Sequence, residues 1–330
     1  MSEIRQNQLT GEWVIIAPER AKRGGNLLMP AQAPESTADC PFCPGNEASA
    51  NGERYRVNDA AGRWMLRSIV NKFSVLSAEG AVQSERCAVR GVEKVNAVGP
   101  HEVLIETPEH HLTVALCSVE HVARILGAYR DRFQAFYADP RVQHVIVFKN
   151  HGADAGASQQ HPHSQIVGLP IVPGQIVERI ARAERFFAET GRCLACTIIA
   201  QERALACRIV AENSAFVAFL PYAALSPYHL WIFPKTHGAC FSAQPVETLN
   251  ELAEIMRQVL LKLHGMLANP AFNLVIRSLG PREQSSSAFH WYLSIVPRVN
   301  KVAGFELGTG MYVNPSLPEH CAEALRAYRE

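Results

Sequence analysis

Two groups of residues in this 330-residue chain have types and spacings suited to chemistry. The first is residues 150–165, NHGADAGASQQHPHSQ, where glycine, alanine and serine lead into alternating polar side chains. In an extended backbone His161, His163 and Gln165 share one side. The small residues ahead of them let backbone N–H groups approach a phosphate closely. A neutral imidazole there can attack phosphorus and form a covalent phosphoramidate, splitting one nucleotidyl transfer into two in-line steps. The competing reading is a strand with a histidine-rich edge. The second group is a pair of C-x-x-C motifs, Cys40/Cys43 and Cys193/Cys196, each followed by two spaced histidines.

Structural zinc takes four Cys or His ligands in a tetrahedron. The candidate quartets are Cys40, Cys43, His110 and His161, and Cys193, Cys196, His237 and His290, with His111 a rival for His110. His110 to His161 is 51 residues and His237 to His290 is 53. The CPFCPG loop suits a metal knuckle, whereas CLAC lacks the Pro or Gly that would shape one. The repeated order Cys-Cys-His-His points to an internal duplication. The other five of the nine cysteines (Cys87, Cys117, Cys207, Cys240 and Cys321) stand singly and read as small buried hydrophobes.

Elements must position these groups. Strands are expected over 102–106, 143–149, 210–220, 229–233, 272–277 and 291–296, with a strand and turn over 63–76. Apolar residues at helical spacing predict helices over 118–137, 175–190 and 246–267, with Gly191 ending the second. The Pro- and Gly-rich stretch 24–58 reads as irregular. Strands interleaved with helices in two similar halves predict an α+β fold: two fused halves, each an antiparallel sheet with helices, spanning 1–172 and 173–330.

Composition excludes other classes. Hydrophobic residues make up 48% and charged residues 19%, which argues against disorder. A formal charge of +1 provides no strong field for nucleic acid. No apolar run approaches the ~18 residues of a membrane span, and MSEIRQNQLTGEW lacks a signal-peptide stretch. No membrane or nucleic-acid partner is therefore expected, and the expected compartment is the cytosol.

HPHSQ after NHGADAGAS resembles the active-site motif of the galactose-1-phosphate uridylyltransferase family of the histidine-triad superfamily. LTGEWVIIAPERAKR, CPFCPGNE, IVNKF, ETPEHH and FHWYLSIVPRVNKVAGFELGTGMYVNP extend the likeness along nearly the whole chain. The resemblance implies that His163 is the nucleotidylated nucleophile and that Gln165 hydrogen-bonds the α-phosphate. It places a Zn2+ site beside them. It assigns Asn150, Gly156 and Ser158 to the phosphate loop, Asn71 and Phe42 to the base and ribose pocket, and Glu306 to the sugar. Arg20 and Arg23 match arginines that reach a neighbouring subunit in dimeric members, implying a homodimer.

Where hydrolytic relatives carry a third histidine, this chain has Gln165, whose amide cannot deliver a proton but can donate hydrogen bonds to growing charge. The implied activity is ping-pong transfer of a nucleotidyl group from a nucleotide sugar to a sugar phosphate, of the UDP-glucose:hexose-1-phosphate type. Tyr292 and Ser294 stand where well-known uridylyltransferases carry histidines, and the second quartet is similar to a plant-type branch that transfers adenylyl from ADP-glucose to phosphate. Adenylyl transfer is thus the alternative, and a non-catalytic zinc-containing nucleotide binder is a further one.

Overall fold

A computed structural model describes residues 1–23, 36–50, 52–86 and 93–329. Cys87 lies outside the described residues. The chain opens with strands β1 (Glu3–Gln6) and β2 (Trp13–Ile16), and a hairpin follows the first C-x-x-C loop, β3 (Glu53–Asn58) and β4 (Trp64–Val70). A small ribbon, β5 (Ser84–Arg86) with β6 (Glu93–Val95), precedes β7 (His101–Ile105), helix α1 (Val119–Tyr137), β8 (His144–His151) and β9 (His163–Leu169). Helices α2 (Gly174–Thr190) and α3 (Leu194–Leu205) lead into β10 (Ile209–Glu212), β11 (Phe216–Phe219) and β12 (Leu230–Pro234). Helix α4 (Val246–Met266), β13 (Phe272–Arg277) and β14 (Tyr292–Pro297) follow. The chain closes with α5 (Gly304–Thr309), β15 (Tyr312–Asn314) and α6 (Pro318–Ala327).

The fold is α+β, and its centre is one antiparallel ten-stranded sheet in the order β10-β11-β12-β14-β13-β8-β9-β7-β4-β3. Reading outward from the middle, β8-β9-β7-β4-β3 and β13-β14-β12-β11-β10 are the same arrangement twice. The two copies meet edge to edge, with Asn273 of β13 opposite Asn150 of β8. Joining the sheets this way pairs two edges that would otherwise expose unbonded backbone.

Helices α1 and α4 lie side by side on one face of the sheet. The Ser118 hydroxyl accepts the His121 N–H at 3.2 Å and caps α1. Val122, Ile125, Leu126, Tyr129, Phe133 and Phe136 then point into a single large core shared with Leu252, Met256, Val259 and Leu263 of α4. Gly191, at φ 67°, ends α2 as expected. No helix among the described residues is long and apolar enough to cross a membrane.

Three expectations change. Residues 210–220 form a hairpin rather than one strand, because the Asn213 side chain accepts the Phe216 N–H at 2.8 Å and closes a tight turn. The stretch called irregular contains β3, which pairs with β4 at the sheet edge. The second C-x-x-C is not a loop: Cys193 is the N-cap of α3 and Cys196 lies in its first turn. A helical i, i+3 pair already faces one way, so Pro and Gly are unnecessary there.

The interior also holds neutral histidines. Burial, then the Arg277 charge, lowers His144 to about 4. Burial, then the Arg179 and Arg277 charges, lowers His229 to about 3. Both would ionise near 6.5 in the unfolded chain. Their contribution is therefore complete above about pH 6.5 and is lost as pH falls through the window down to 4 and below. Denaturant unfolding at pH 7 and pH 5 should show a loss of about 2 kcal/mol per buried histidine, at 1.36 kcal/mol per pH unit. A stability independent of pH across this range would contradict it.

Candidate active site

The site lies on the sheet face opposite α1 and α4. Strand β9 pairs with β7 so that His163 faces Ile105 and Gln165 faces Val103. Period-two alternation puts both side chains on the face that carries the Cys40–Cys43 loop, whose Phe42 ring lies 5.5 Å from that of His163. Cys40, Phe42, Cys43, Trp64, Ile69, Val103 and Ile105 form a small apolar cluster under this loop.

The imidazole of His163 is buried, and its Nδ1 lies 2.9 Å from the carbonyl oxygen of His161. A carbonyl can only accept, so Nδ1 carries the proton and Nε2 keeps its lone pair. Burial, then the positive Lys149 among opposing contributions, lowers the His163 pKa and keeps the ring neutral near pH 7. A neutral, oriented Nε2 is what nucleophilic attack requires.

The preceding loop turns at two glycines with positive φ, Gly152 at 79° and Gly156 at 86°. A Cβ on Gly152 would sit 2.8 Å from the Cβ of Ala271, so this turn admits no side chain. Ser158 is exposed and Asn150 half-buried. Asn273 Nδ2 donates to Asn150 Oδ1 and to the Ala155 carbonyl, both at 2.9 Å, and so ties the loop to β13. Asn71 follows β4 directly and meets Gln165, its Nδ2 3.4 Å from Gln165 Oε1.

Beneath His163, on the helix side of the sheet, Glu106 and Lys149 form an almost fully buried ion pair at 2.7 Å. Lys149 also donates to the His163 carbonyl at 3.1 Å. Glu106 accepts from Tyr129 at 3.0 Å and from the Ser164 hydroxyl. Burial pushes the Glu106 carboxyl up, but the Lys149 ammonium and these hydrogen bonds outweigh it and hold the group ionised. Strand β9 is thus gripped at consecutive residues, His163 and Ser164.

Cys40, Cys43, His110 and His161 converge, with ligand atoms within 4.8 Å of one another, and so do Cys193, Cys196, His237 and His290. His110, not the exposed His111, joins the first set. In that set His161 turns Nδ1 to the thiols, 3.7 Å from Cys40 Sγ and 3.5 Å from Cys43 Sγ, and donates from Nε2 to the Thr107 carbonyl at 2.7 Å. In the second, His237 and His290 lie 3.5 and 3.4 Å from Cys196 Sγ through Nδ1 and donate from Nε2 to the carbonyls of Ser286 and Pro234. Such outward N–H bonds orient imidazoles that ligate metals. Burial, then the neighbouring Cys40, pushes the Cys43 thiol up to about 11; a divalent cation reverses that effect. Both clusters therefore fit a tetrahedral metal ion, with no position left open for substrate.

Other expected residues stand apart. Arg20 is exposed on a short turn, and the Arg23 side chain lies outside the described residues. The Glu306 carboxylate accepts the Ala303 N–H at 2.9 Å and caps α5. The segment before α5 approaches the loop rim, with Lys301 4.0 Å from Asp154. The sequence reading passed over His101, Glu106, Lys149 and Asn273. His101 had one available signal: a histidine stands at the start of β7, at 101, and immediately before the matching β12, at 229.

The chain is thus a doubled α+β protein with an oriented histidine and a glutamine side by side on a central strand. Residues 1–173 match the family described as galactose-1-phosphate uridyl transferase, N-terminal domain, and residues 110–328 match a domain of unknown function, DUF4921. The chain is 34% identical over 328 residues to ADP-glucose phosphorylase of Arabidopsis thaliana, covering 98% of this chain and 92% of that one. It is 26% identical over 336 residues to galactose-1-phosphate uridylyltransferase of Thermotoga maritima, covering 99% and 98%. The structure of an ADP-glucose phosphorylase from Arabidopsis thaliana with bound ADP-glucose superposes with a TM-score of 0.84 at 33% identity, over 100% of this chain and 99% of that one. The chain belongs to the galactose-1-phosphate uridylyltransferase family, and it is a nucleotidyltransferase of that family.

Proposed function

We propose that the protein transfers an adenylyl group from ADP-glucose to inorganic phosphate through a covalent His163 intermediate. The observation that carries the chemistry is the 2.9 Å bond from His163 Nδ1 to the His161 carbonyl, which leaves Nε2 free to attack. In the first step Nε2 bonds to the α-phosphorus, the bond from that phosphorus to the bridging oxygen breaks, and glucose-1-phosphate leaves. In the second, a phosphate oxygen attacks the same phosphorus, the P–N bond breaks, and ADP is released with the imidazole restored. Gln165 and Asn150 donate to the phosphate oxygens, and the Gly152–Gly156 turn admits them closely.

The choice of base and acceptor is supported by the 34% likeness to the plant ADP-glucose phosphorylase, and the second Cys2His2 cluster is in keeping with the sequence resemblance to that branch. We take the ion in both clusters as zinc, holding the Cys40–Cys43 loop and the start of α3 in place without touching substrate. We also propose a cytosolic homodimer in which the exposed Arg20, with Arg23, serves the partner's site. The two halves, 1–172 and 173–330, are proposed as its domains, the first carrying the nucleophile.

The test incubates the protein with ADP-glucose or UDP-glucose labelled in the nucleotide. An acid-labile adduct on His163 from ADP-glucose, discharged by phosphate, is expected. Labelling from UDP-glucose alone, discharged by hexose-1-phosphate, would replace adenylyl by uridylyl transfer. Saturable binding with no adduct from either would leave a nucleotide-binding protein. Metal analysis should give two zinc ions per chain, and Cys43→Ser should lose one of them together with at least ~10-fold of the activity, since the loop under His163 loosens.

A further inference from the structure

Two amide side chains face the phosphate position in the proposed reaction, Gln165 and Asn150. An amide is useful to an anion only with its NH2 outward, because its oxygen repels phosphate oxygens. Rotation about the last side-chain bond exchanges the two ends at little cost unless something holds one of them. In this structure both oxygens are held.

Gln165 Oε1 lies 2.9 Å from His101 Nε2. On its other side, His101 Nδ1 faces the Val75 backbone N–H at 3.3 Å. That N–H can only donate, so Nδ1 is the acceptor and Nε2 carries the proton, which goes to Gln165 Oε1. Asn71 Nδ2, 3.4 Å from the same oxygen, adds a second donor. The other tautomer would satisfy only the 3.0 Å contact from Asn71 Nδ2 to His101 Nε2. It would set two N–H groups head on at Nδ1 and two lone pairs head on at Gln165. Asn150 Oδ1 is held in the same sense by Asn273 Nδ2 at 2.9 Å. Among the described residues the NH2 groups of Gln165 and Asn150 make no hydrogen bond within the protein.

The second half repeats the histidine device. The Leu225 N–H faces His229 Nδ1 at 3.3 Å, and His229 Nε2 lies 3.0 Å from Ser294 Oγ, at the position that matches Gln165. There the nucleophile's place is taken by Tyr292, whose hydroxyl accepts from Arg179 at 2.7 Å. The scaffold has thus kept the same tautomer-setting contact in both copies, and only the first copy places an amide beyond it.

We propose that His101 and Asn273 are positioning residues that lock Gln165 and Asn150 with their NH2 groups toward the reacting phosphate. The proposal rests on the nucleotidyl-transfer reading above. It also gives the second half a part in the site, since Asn273 belongs to β13 and orients Asn150 across the seam between the two sheets. Neither residue needs to touch substrate.

The test compares His101→Phe, which keeps a ring but neither bonding nitrogen, with His101→Gln, which returns an amide donor near the Nε2 position. His229→Gln is the matched change in the second half. Single-turnover labelling of His163 and steady-state kcat and KM are measured, with melting curves to normalise for folded protein. His101→Phe should lower labelling and kcat by about 10- to 100-fold with KM changed less than about threefold, since a misaligned donor is lost mainly from the transition state. His101→Gln should recover most of that loss, and His229→Gln should leave kcat per folded chain unchanged. Asn273→Leu should lower kcat about 10-fold by the same route. Wild-type labelling in His101→Phe and Asn273→Leu while Gln165→Ala is slow would overturn the locks and leave the reaction standing. So would an equal loss in His101→Phe and His101→Gln. Wild-type exchange in His163→Ala would instead remove the underlying reaction.

Discussion

His163→Ala is expected to lower nucleotidyl transfer by at least ~10³-fold, the scale on which removal of a nucleophile registers. Among the described residues around His163, no second group stands ready to take over. His161 has Nδ1 turned to the thiols and Nε2 engaged with Thr107, so neither nitrogen is available for attack. The matching position in the second half is Tyr292, already bonded to Arg179. The variant should fold, because the side chain it shortens packs mainly on Phe42 at the face of the sheet and not in the helix-covered core. Rapid-quench assays with labelled ADP-glucose, read as adduct per chain and as product release, check this. Retention of the adduct in His163→Ala would place the nucleophile elsewhere. Gln165→Ala should lose less, about 10²-fold, because it removes one donor to developing charge and not the bond-forming atom.

The largest loss of stability is expected from Lys149→Met. It strands the Glu106 carboxylate at 1% exposure, and breaking one side of a buried pair typically costs about 3–5 kcal/mol. Replacing both residues, Lys149→Met with Glu106→Leu, should recover much of that, because no uncompensated charge remains. Equilibrium unfolding in urea measures all three proteins. Activity should not follow stability. The double variant also loses the 3.1 Å bond from Lys149 to the His163 carbonyl and both hydrogen bonds that Glu106 receives from Tyr129 and Ser164. The strand can then shift, and a displacement of about 1 Å at a reacting atom costs about 10²-fold in rate. A double variant that is stable and fully active would show that the pair does not position His163.

The primary structure alone determined the parts whose signal is local or periodic. The alternation of His161, His163 and Gln165 needs only an extended backbone to align them. The stripe from Val122 to Phe136 needs only the helical repeat, and Ser118 and Gly191 mark ends that any chain with those residues would favour. The two Cys-Cys-His-His series were legible because duplication repeats spacing, and the structure gathers both sets. Local cues failed where two states share a pattern: residues 210–220 alternate as a strand does until Asn213 turns them, and CLAC reads as a loop motif but starts a helix. What only the tertiary structure decided are the contacts between groups remote in the chain. Glu106 meets Lys149 across 43 residues, His101 meets Gln165 across 64, and Asn273 reaches Asn150 across 123. Each is a polar residue of ordinary type, and its role arises from which strand becomes its neighbour. Strand order in a sheet is set by the burial of whole faces, a sum over many side chains that no short window of residues contains.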